Sequence, residues 1–297
     1  MSDGAPQVSI GLAVRNGRDV IERCVDSIVS QDFTDLELLI CDNVSDDGTI
    51  AVLEEYARAD ERVRFSVNSV NIGSHGNMRR VFDLAQGRFF RWISADDWLE
   101  PGYLSACMQA LESRPDAVGV TTGFTFHTPG GPTRFENYRG EFPTSPDPAR
   151  RFERMLWFFH AGDAKYDPVY GVYRRDALMH SHPLRPTERN DWLLAAELAL
   201  KGPIIHLHER LTNRTQDHSP GVDRDAFRRR LDPARPEQLR TSARRMYREL
   251  FALAVMEDLT QSQLRRCKRA LRRFWVNELI RTARLRASDT RHRALSR

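Results

Sequence analysis

The first hundred residues alternate between short continuous apolar runs and segments whose apolar positions recur every three or four residues. Val8 to Val14 is the first run, closed by the turn signal Arg15-Asn16-Gly17. Val20, Ile21, Cys24, Val25, Ile28 and Val29 then recur at helical spacing, and a second run, Leu36 to Cys41, ends at Asp42-Asn43. Ser45-Asp46-Asp47-Gly48-Thr49 supplies N-cap chemistry for a helix carrying Ile50, Leu53 and Tyr56. Val63 to Val67 reads as a third strand. Asn71 to Asn77 reads as a polar loop ahead of a helix with Met78, Val81, Phe82 and Ala85. A fourth strand, Phe89 to Ile93, runs into Ser94-Ala95-Asp96-Asp97, and Pro101 opens another helix.

This β-α-β-α-β-α-β order predicts an α/β fold: a doubly wound, mostly parallel, Rossmann-like sheet. In such a sheet ligands bind at the carboxyl ends of the strands. Asn16, Asp42 and Asp96-Asp97 each follow a strand, so the pattern places all of them on one rim.

From Val118 the pattern is mixed. Val118 to Thr122 and Phe124 to His127 read as two strands, Pro129 to Pro148 as a loop, and Arg150 to His160 as a helix. Glu188-Arg189-Asn190-Asp191 precedes a helix over Trp192 to Leu200, followed by strands over Pro203 to Leu207 and Leu211 to Thr215. Beyond Gly221 the chain reads as helices, broken near Pro233 to Pro236. The expected organisation is therefore a body over 1–221 and a helical C-terminal extension over 222–297.

Charge sharpens that division. The net charge of +4 is the balance of −8 over the first 221 residues and +12 over the rest. No apolar run reaches the roughly 18 residues that would span a bilayer, and the start of the chain lacks a hydrophobic signal segment. The four cysteines, Cys24, Cys41, Cys107 and Cys267, have no paired spacing, so a zinc site is not indicated and a reducing, cytoplasmic compartment is expected. No GxGxxG follows the first strand, which disfavours a dinucleotide-dependent dehydrogenase. Arg15-Asn16-Gly17 is too short for the Gly-rich basic loop of a nucleotidyltransferase, the rival enzyme.

The adjacent carboxylates Asp96 and Asp97, set between apolar and aromatic neighbours in WISADDW, require a solvated edge or a cation. With the other strand-end residues, they complete a resemblance. Val8 to about Pro101 is similar to the inverting glycosyltransferases of family 2, which have the GT-A fold. Arg15-Asn16 stands where that family has a pair ending the first strand. Asp42 with Ser45-Asp46-Asp47-Gly48-Thr49 matches its second-strand motif, Asn71, Gly73 and Asn77 its Asn-containing segment, and Ser94-Ala95-Asp96 its Asp-x-Asp-type metal motif. Ser94 departs from the usual first carboxylate, and an inactive binding or scaffold protein of the same fold is the non-enzymatic alternative.

The resemblance implies a hexosyltransferase-type enzyme that takes a UDP-, GDP- or dTDP-sugar, needs Mg²⁺ or Mn²⁺, and serves glycan, envelope polysaccharide or glycoconjugate biosynthesis. Asp42 would accept hydrogen bonds from the nucleobase, with Asn16, Asn71, Asn77 and Ser94 around the nucleotide. Asp96 would hold the metal, with His218 as a further ligand. Asp191 would be the base for the acceptor hydroxyl, with Glu188 second to it and Trp192 facing the sugar. Tyr170, Tyr173 and Arg174 are candidates for an acceptor cleft, although aromatic residues also fill cores; Trp157-Phe158-Phe159 reads as core. The acceptor implied is a hydroxyl, with a lipid-linked glycan among the candidates, and no nucleic acid is implied. The basic stretch from Arg265 to Trp275 carries Leu264, Cys267, Leu271, Phe274 and Trp275 near one helical face. Such a helix can pack on the acidic body or lie on the inner face of an anionic membrane.

Overall fold

The computed structural model describes residues 4–128, 130–136, 141, 143–160, 168–181, 184–215 and 223–295, with backbone alone at 136 and 282–295. Four strands, β1 (Val8–Val14), β2 (Leu36–Asp42), β3 (Val63–Val67) and β4 (Phe89–Ile93), pair in parallel in the order β3-β2-β1-β4. Helices α1 (Ile21–Val29), α2 (Thr49–Ala59) and α3 (Gly73–Asp83) make the crossovers. The inner strands β1, β2 and β4 are mostly apolar because both of their faces are covered, whereas β3, at the sheet edge, carries Arg64 and Ser66 and is partly exposed. Val8, Ile10, Leu12 and Val14 enter one buried cluster with α1, while Leu39, Cys41, Phe90 and Trp92 enter a second on the opposite face. Gly11 faces that second layer, where an added Cβ would stand 2.6 Å from the Phe90 ring and 2.9 Å from Val81.

The remaining strands extend the sheet. They are β5 (Trp98–Leu99), β6 (Gly119–His127), β7 (Thr133–Glu136), β8 (Val172–Arg174) and β9 (Ile204–Thr215). The order runs β3-β2-β1-β4-β8-β6-β9-β5, with β7 beside β6. Because β8 is antiparallel to both β4 and β6, those two run the same way, and β9 is parallel to β6. The carboxyl ends of β1, β2, β3, β4, β6 and β9 therefore share one rim.

Between and after these strands lie α4 (Tyr103–Ser113), α5 (Pro148–Phe158), α6 (Arg175–Met179), α7 (Asn190–Lys201), α8 (Arg224–Leu231), α9 (Ala243–Met256) and α10 (Gln261–Leu295). Met246, Leu250, Leu253, Cys267, Leu271 and Phe274 of α9 and α10 share one buried cluster with α5 and α7. The basic C-terminal helices thus pack over α5 and α7, which lie on the second face of the sheet.

Several boundaries differ from the sequence reading. The two strands read on either side of Gly123 are one, β6, whose register with β9 shifts there; an added Cβ at Gly123 would meet the carbonyls of His208 and Glu209 at 3.1 Å, so the irregularity suits a glycine. The segments from 203 and 211 are likewise one strand, β9, and β7 lies within the expected loop after His127. Helix α4 starts at Tyr103, after the short β5, rather than at Pro101. Helix α3 begins at Gly73, so Asn77 lies within it. Gly73 has φ +75°, and an added Cβ would sit 2.4 Å from the Leu231 carbonyl, so α8 fixes this turn by close approach.

One buried ionic cluster ties α10 to the start of α7. Glu278 is 1 % exposed and takes Arg189 at 2.7 Å, Arg281 at 2.7 Å and His160 at 3.1 Å. Burial pushes its carboxyl up, but the bonds from His160, Arg281 and Arg189 outweigh that and hold it well below its ordinary 4.5. A depressed folded-state pKa contributes stability that is complete above the unfolded value and fades as pH falls below it. Glu278→Gln is expected to lose about 3–5 kcal/mol at neutral pH, because Arg189 is left without its counter-charge. The gap from wild type should shrink below pH 4.5, as read by denaturant melts over pH.

Candidate active site

The strands β1, β2 and β4 each leave a polar turn at the rim. Asp42 ends β2, is fully buried, and its two oxygens accept from the amide and hydroxyl of Ser45 at 2.8 and 2.5 Å. Asp42 itself thus closes the turn that sequence assigned to Ser45, Asp46 and Asp47. As it stands, its carboxylate is committed to Ser45 rather than open to a nucleobase. Asn16, past β1, adopts φ +54° and clasps the same turn: its side chain exchanges bonds with Asp46 at 2.9 and 3.1 Å, and its amide donates to Ser45 Oγ at 2.8 Å. Asp47 accepts from the Thr49 amide at 3.0 Å at the head of α2, with Gly48 as the left-handed cap residue.

Asn71 and Asn77 belong to a chain of four asparagines. Asn43 donates to Asn71 at 2.7 Å, and Asn68 donates to Asn43 at 3.0 Å and to Asn77 at 2.9 Å. Asn77 in turn donates to the Cys41 carbonyl at 2.7 Å, and Asn43 accepts from the Ile72 amide at 2.9 Å. The network locks the ends of β2 and β3 to α3. Both sequence candidates therefore shape the floor of the rim. Asn43 and Asn68, its buried centre, were missed because an Asn after a strand reads as an ordinary turn residue.

The two adjacent carboxylates diverge. Asp97 is 2 % exposed and turns inward, its Oδ2 3.4 Å from Arg214 Nε of β9. Burial pushes its carboxyl up to about 7 against the pull of Arg214, and Asp96 pushes in the same direction as burial. Arg91 of β4, fully buried and bonded to the Tyr103 hydroxyl, adds positive charge beneath it. Asp96 differs: it is half-buried, and among the described residues no donor reaches its carboxylate, while its carbonyl accepts from Thr215 Oγ1 at 2.9 Å. The cation waiting for Asp97 is thus Arg214, a residue sequence reasoning missed because β9 is distant in the chain.

Around this turn, Asn213 donates to Glu100 at 2.6 Å and bonds His127 Nε2 at 2.9 Å, Trp98 packs on His127 at 4.6 Å, and Arg23 covers Trp98 at 3.6 Å. Ser94 is half-buried, with its carbonyl engaged by Cys24 Sγ and the Asp97 amide. His218 lies outside the described residues, as do residues 216–222 altogether. Among the described residues, no group of three or more His, Cys, Asp or Glu could hold a metal by itself.

Asp191 occupies the first turn of α7 and is exposed. Glu188 is committed elsewhere, accepting from Arg228 at 2.8 Å and from the Thr241 amide at 3.3 Å. Trp192 stacks on Phe159 at 4.6 Å and meets Phe274 edge-on, so it packs between helices rather than facing a sugar. Tyr173 is buried, and Arg174 binds the Ala117 and Leu111 carbonyls, both within the fold's interior contacts. Tyr170 lies beneath Arg214 at 4.2 Å, which links the turn holding Asp97 to the 3₁₀ turn Pro168–Tyr170 packed on α7. Phe158 and Phe159 are core as expected; Trp157 is 45 % exposed, with Arg154 over its ring at 3.9 Å.

The sequence profile of glycosyl transferase family 2 matches residues 9–182, more than half of the chain and the whole rim up to β8. The chain belongs to this family. Related family members include the GalNAc(5)-diNAcBac-PP-undecaprenol beta-1,3-glucosyltransferase of Campylobacter jejuni, 33% identical over 105 residues, which are 35% of this chain and 34% of that protein. Chondroitin synthase of Escherichia coli is 38% identical over 104 residues, 35% of this chain and 15% of that protein. The match thus spans about a third or less of these relatives' own length. Among solved structures, S. aureus TarS 1-349 in complex with UDP superposes with a TM-score of 0.66 at 16% identity, covering 90% of this chain and 70% of that one. Mannosyltransferase PcManGT from Pyrobaculum calidifontis, in complex with GDP-Man and Mn²⁺, gives 0.54 at 16% identity, covering 99% and 81%. The shared architecture is the GT-A-like sheet, with helices after it.

Proposed function

We propose that this family 2 chain transfers a sugar from a nucleotide-sugar to an acceptor hydroxyl with inversion, using a divalent cation at Asp96. The observation that carries the proposal is the divergence of the two carboxylates. Asp97 is held inward by Arg214, and Asp96 is left as a rim carboxylate that no described side chain occupies. The donor set fits Mg²⁺ or Mn²⁺, since hard cations take oxygen ligands and are often held by one or two carboxylates plus substrate phosphates. Asp96 would be the protein ligand, with the Ser94 hydroxyl beside it and His218 as a further candidate. When bound, the cation neutralises charge on the departing diphosphate.

The chain's own residues supply the rest. The clasped turn at Asn16, Asp42 and Ser45 and the asparagine network form a rigid cradle for the nucleotide. The acceptor oxygen forms a bond to the anomeric carbon, the bond from that carbon to the diphosphate oxygen breaks with its electron pair, and the hydroxyl proton passes to the Asp191 carboxylate. Glu278 and Arg189 fix the start of α7 and so position that base. One relative named for an undecaprenol-PP-linked glycan and another named chondroitin synthase support a glycan hydroxyl as acceptor, with a lipid-linked glycan among the candidates.

The test is release of nucleoside diphosphate from a panel of UDP-, GDP- and dTDP-sugars with and without Mn²⁺. Metal-dependent turnover of one donor class supports the reading. A protein that binds nucleotide but never turns over with any sugar or acceptor is the scaffold alternative.

A further inference from the structure

Helix α10 has two unlike faces. Its inner face buries Cys267, Ala270, Leu271, Phe274 and Glu278. Its flanks are tied to the body by Arg266 to Asp147 at 2.7 Å and Arg273 to Glu153 at 3.1 Å. Packing on the acidic body is therefore satisfied by those contacts. Arg265, Lys268, Arg269 and Arg272 project outward instead, lining a shallow groove of about 490 Å³. None of the four has an ion-pair partner among the described residues. Like charges three and four residues apart weaken a helix by a few tenths of a kcal/mol each, so folding does not account for this stripe.

The same outward face continues as apolar surface. Arg265, Arg269, Arg272, Val276 and Leu279 follow helical spacing, and Val276, Leu279 and Ile280 are 53 %, 48 % and 46 % exposed. From Arg265 to Ile280 the stripe is about 22 Å long at 1.5 Å per residue. Four cations without an ion-pair partner among the described residues, one of them (Lys268) also 5.6 Å over the Phe251 ring, are followed by three exposed aliphatic side chains; this matches a surface that is anionic outside and hydrocarbon beneath. A two-fold contact between copies uses the same patch on both, so the cations would meet only cations or aliphatic side chains and no acidic partner within the stripe. A nucleic acid backbone would leave the aliphatic turn unmatched. Among the described residues no helix is long and apolar enough to cross a membrane, and the attachment considered is a lateral one.

We infer that the outward face of α10 docks the protein on an anionic lipid bilayer, with the arginines at the headgroups and Val276, Leu279 and Ile280 dipping into the acyl boundary. The inference rests on the proposed function only in assigning this contact a purpose, delivery of a membrane-borne acceptor.

The test is co-sedimentation with vesicles of phosphatidylcholine alone and of phosphatidylcholine with about one third phosphatidylglycerol, at low and high salt. The full chain should partition to the anionic vesicles and be released by salt. Each removed cation should weaken partition about fivefold, so Arg265→Glu/Arg269→Glu/Arg272→Glu should lower it by more than about a hundredfold. Val276→Ser/Leu279→Ser/Ile280→Ser should leave a weaker, fully salt-reversible attachment. Melting temperature and UDP binding, followed in the same samples, report folding and the donor site separately. Equal binding to neutral vesicles, no binding to either, or unchanged binding of the charge-reversed variant would overturn the inference. So would a dimer in light scattering that the serine variant dissolves.

Discussion

Asp96→Ala is expected to lower turnover about 10²–10³-fold, the loss typical of removing one group that stabilises transition-state charge. It should leave the melting temperature nearly unchanged, because the side chain is half-buried and takes no described donor. The adjacent Asp97→Ala should reverse the pattern in stability. Above about pH 7, where Asp97 is charged, it removes the carboxylate whose charge Arg214 and Arg91 share, and removing one partner of a buried pair costs about 3–5 kcal/mol. Steady-state kinetics and denaturant melts on the two variants separate these outcomes. Two neighbouring carboxylates with the same pair of effects would contradict the assignment of one to substrate and the other to the fold.

The second large effect concerns Asp191. Asp191→Asn keeps the size of the side chain but removes the proton acceptor, and loss of a general base typically costs about 10²–10⁴-fold. The loss should fall on kcat, with nucleotide binding retained, since Asp191 stands on α7 and the cradle is built from β1, β2, α3 and β4. Activity within a few-fold of wild type would transfer the role to another group; Glu188 is excluded as its simple replacement by its bonds to Arg228 and Thr241.

The fold was largely legible in the sequence for a physical reason. Parallel strands buried on both faces read as mostly apolar runs, as β1, β2 and β4 do, and the four strands read from the first hundred residues coincide with β1 to β4 within a residue. Their order then placed Asn16, Asp42 and Asp96 on one rim without any knowledge of contacts. What could not be read depended on distant partners. The first turn of α3, Gly-Ser-His-Gly-Asn, has poor helix propensity and reads as loop; the Leu231 backbone of α8 fixes its start. Trp192 looked like a sugar platform because an aromatic on a helix has no sequence mark for the side it faces, and Phe159 and Phe274 claim it. The inward turn of Asp97 depended on Arg214, which only the pairing of β9 with β6 and β5 brings to the rim.

Asp96 is proposed to join a divalent cation to a nucleotide-sugar at this rim. Calorimetric titration of UDP, GDP and dTDP, each with and without Mn²⁺, on wild type and Asp96→Ala tests it most directly. One nucleotide should bind in the presence of metal, weaken by about tenfold or more without it, and lose that metal dependence in the variant. Equal binding with and without Mn²⁺, or a variant indistinguishable from wild type, would contradict the account.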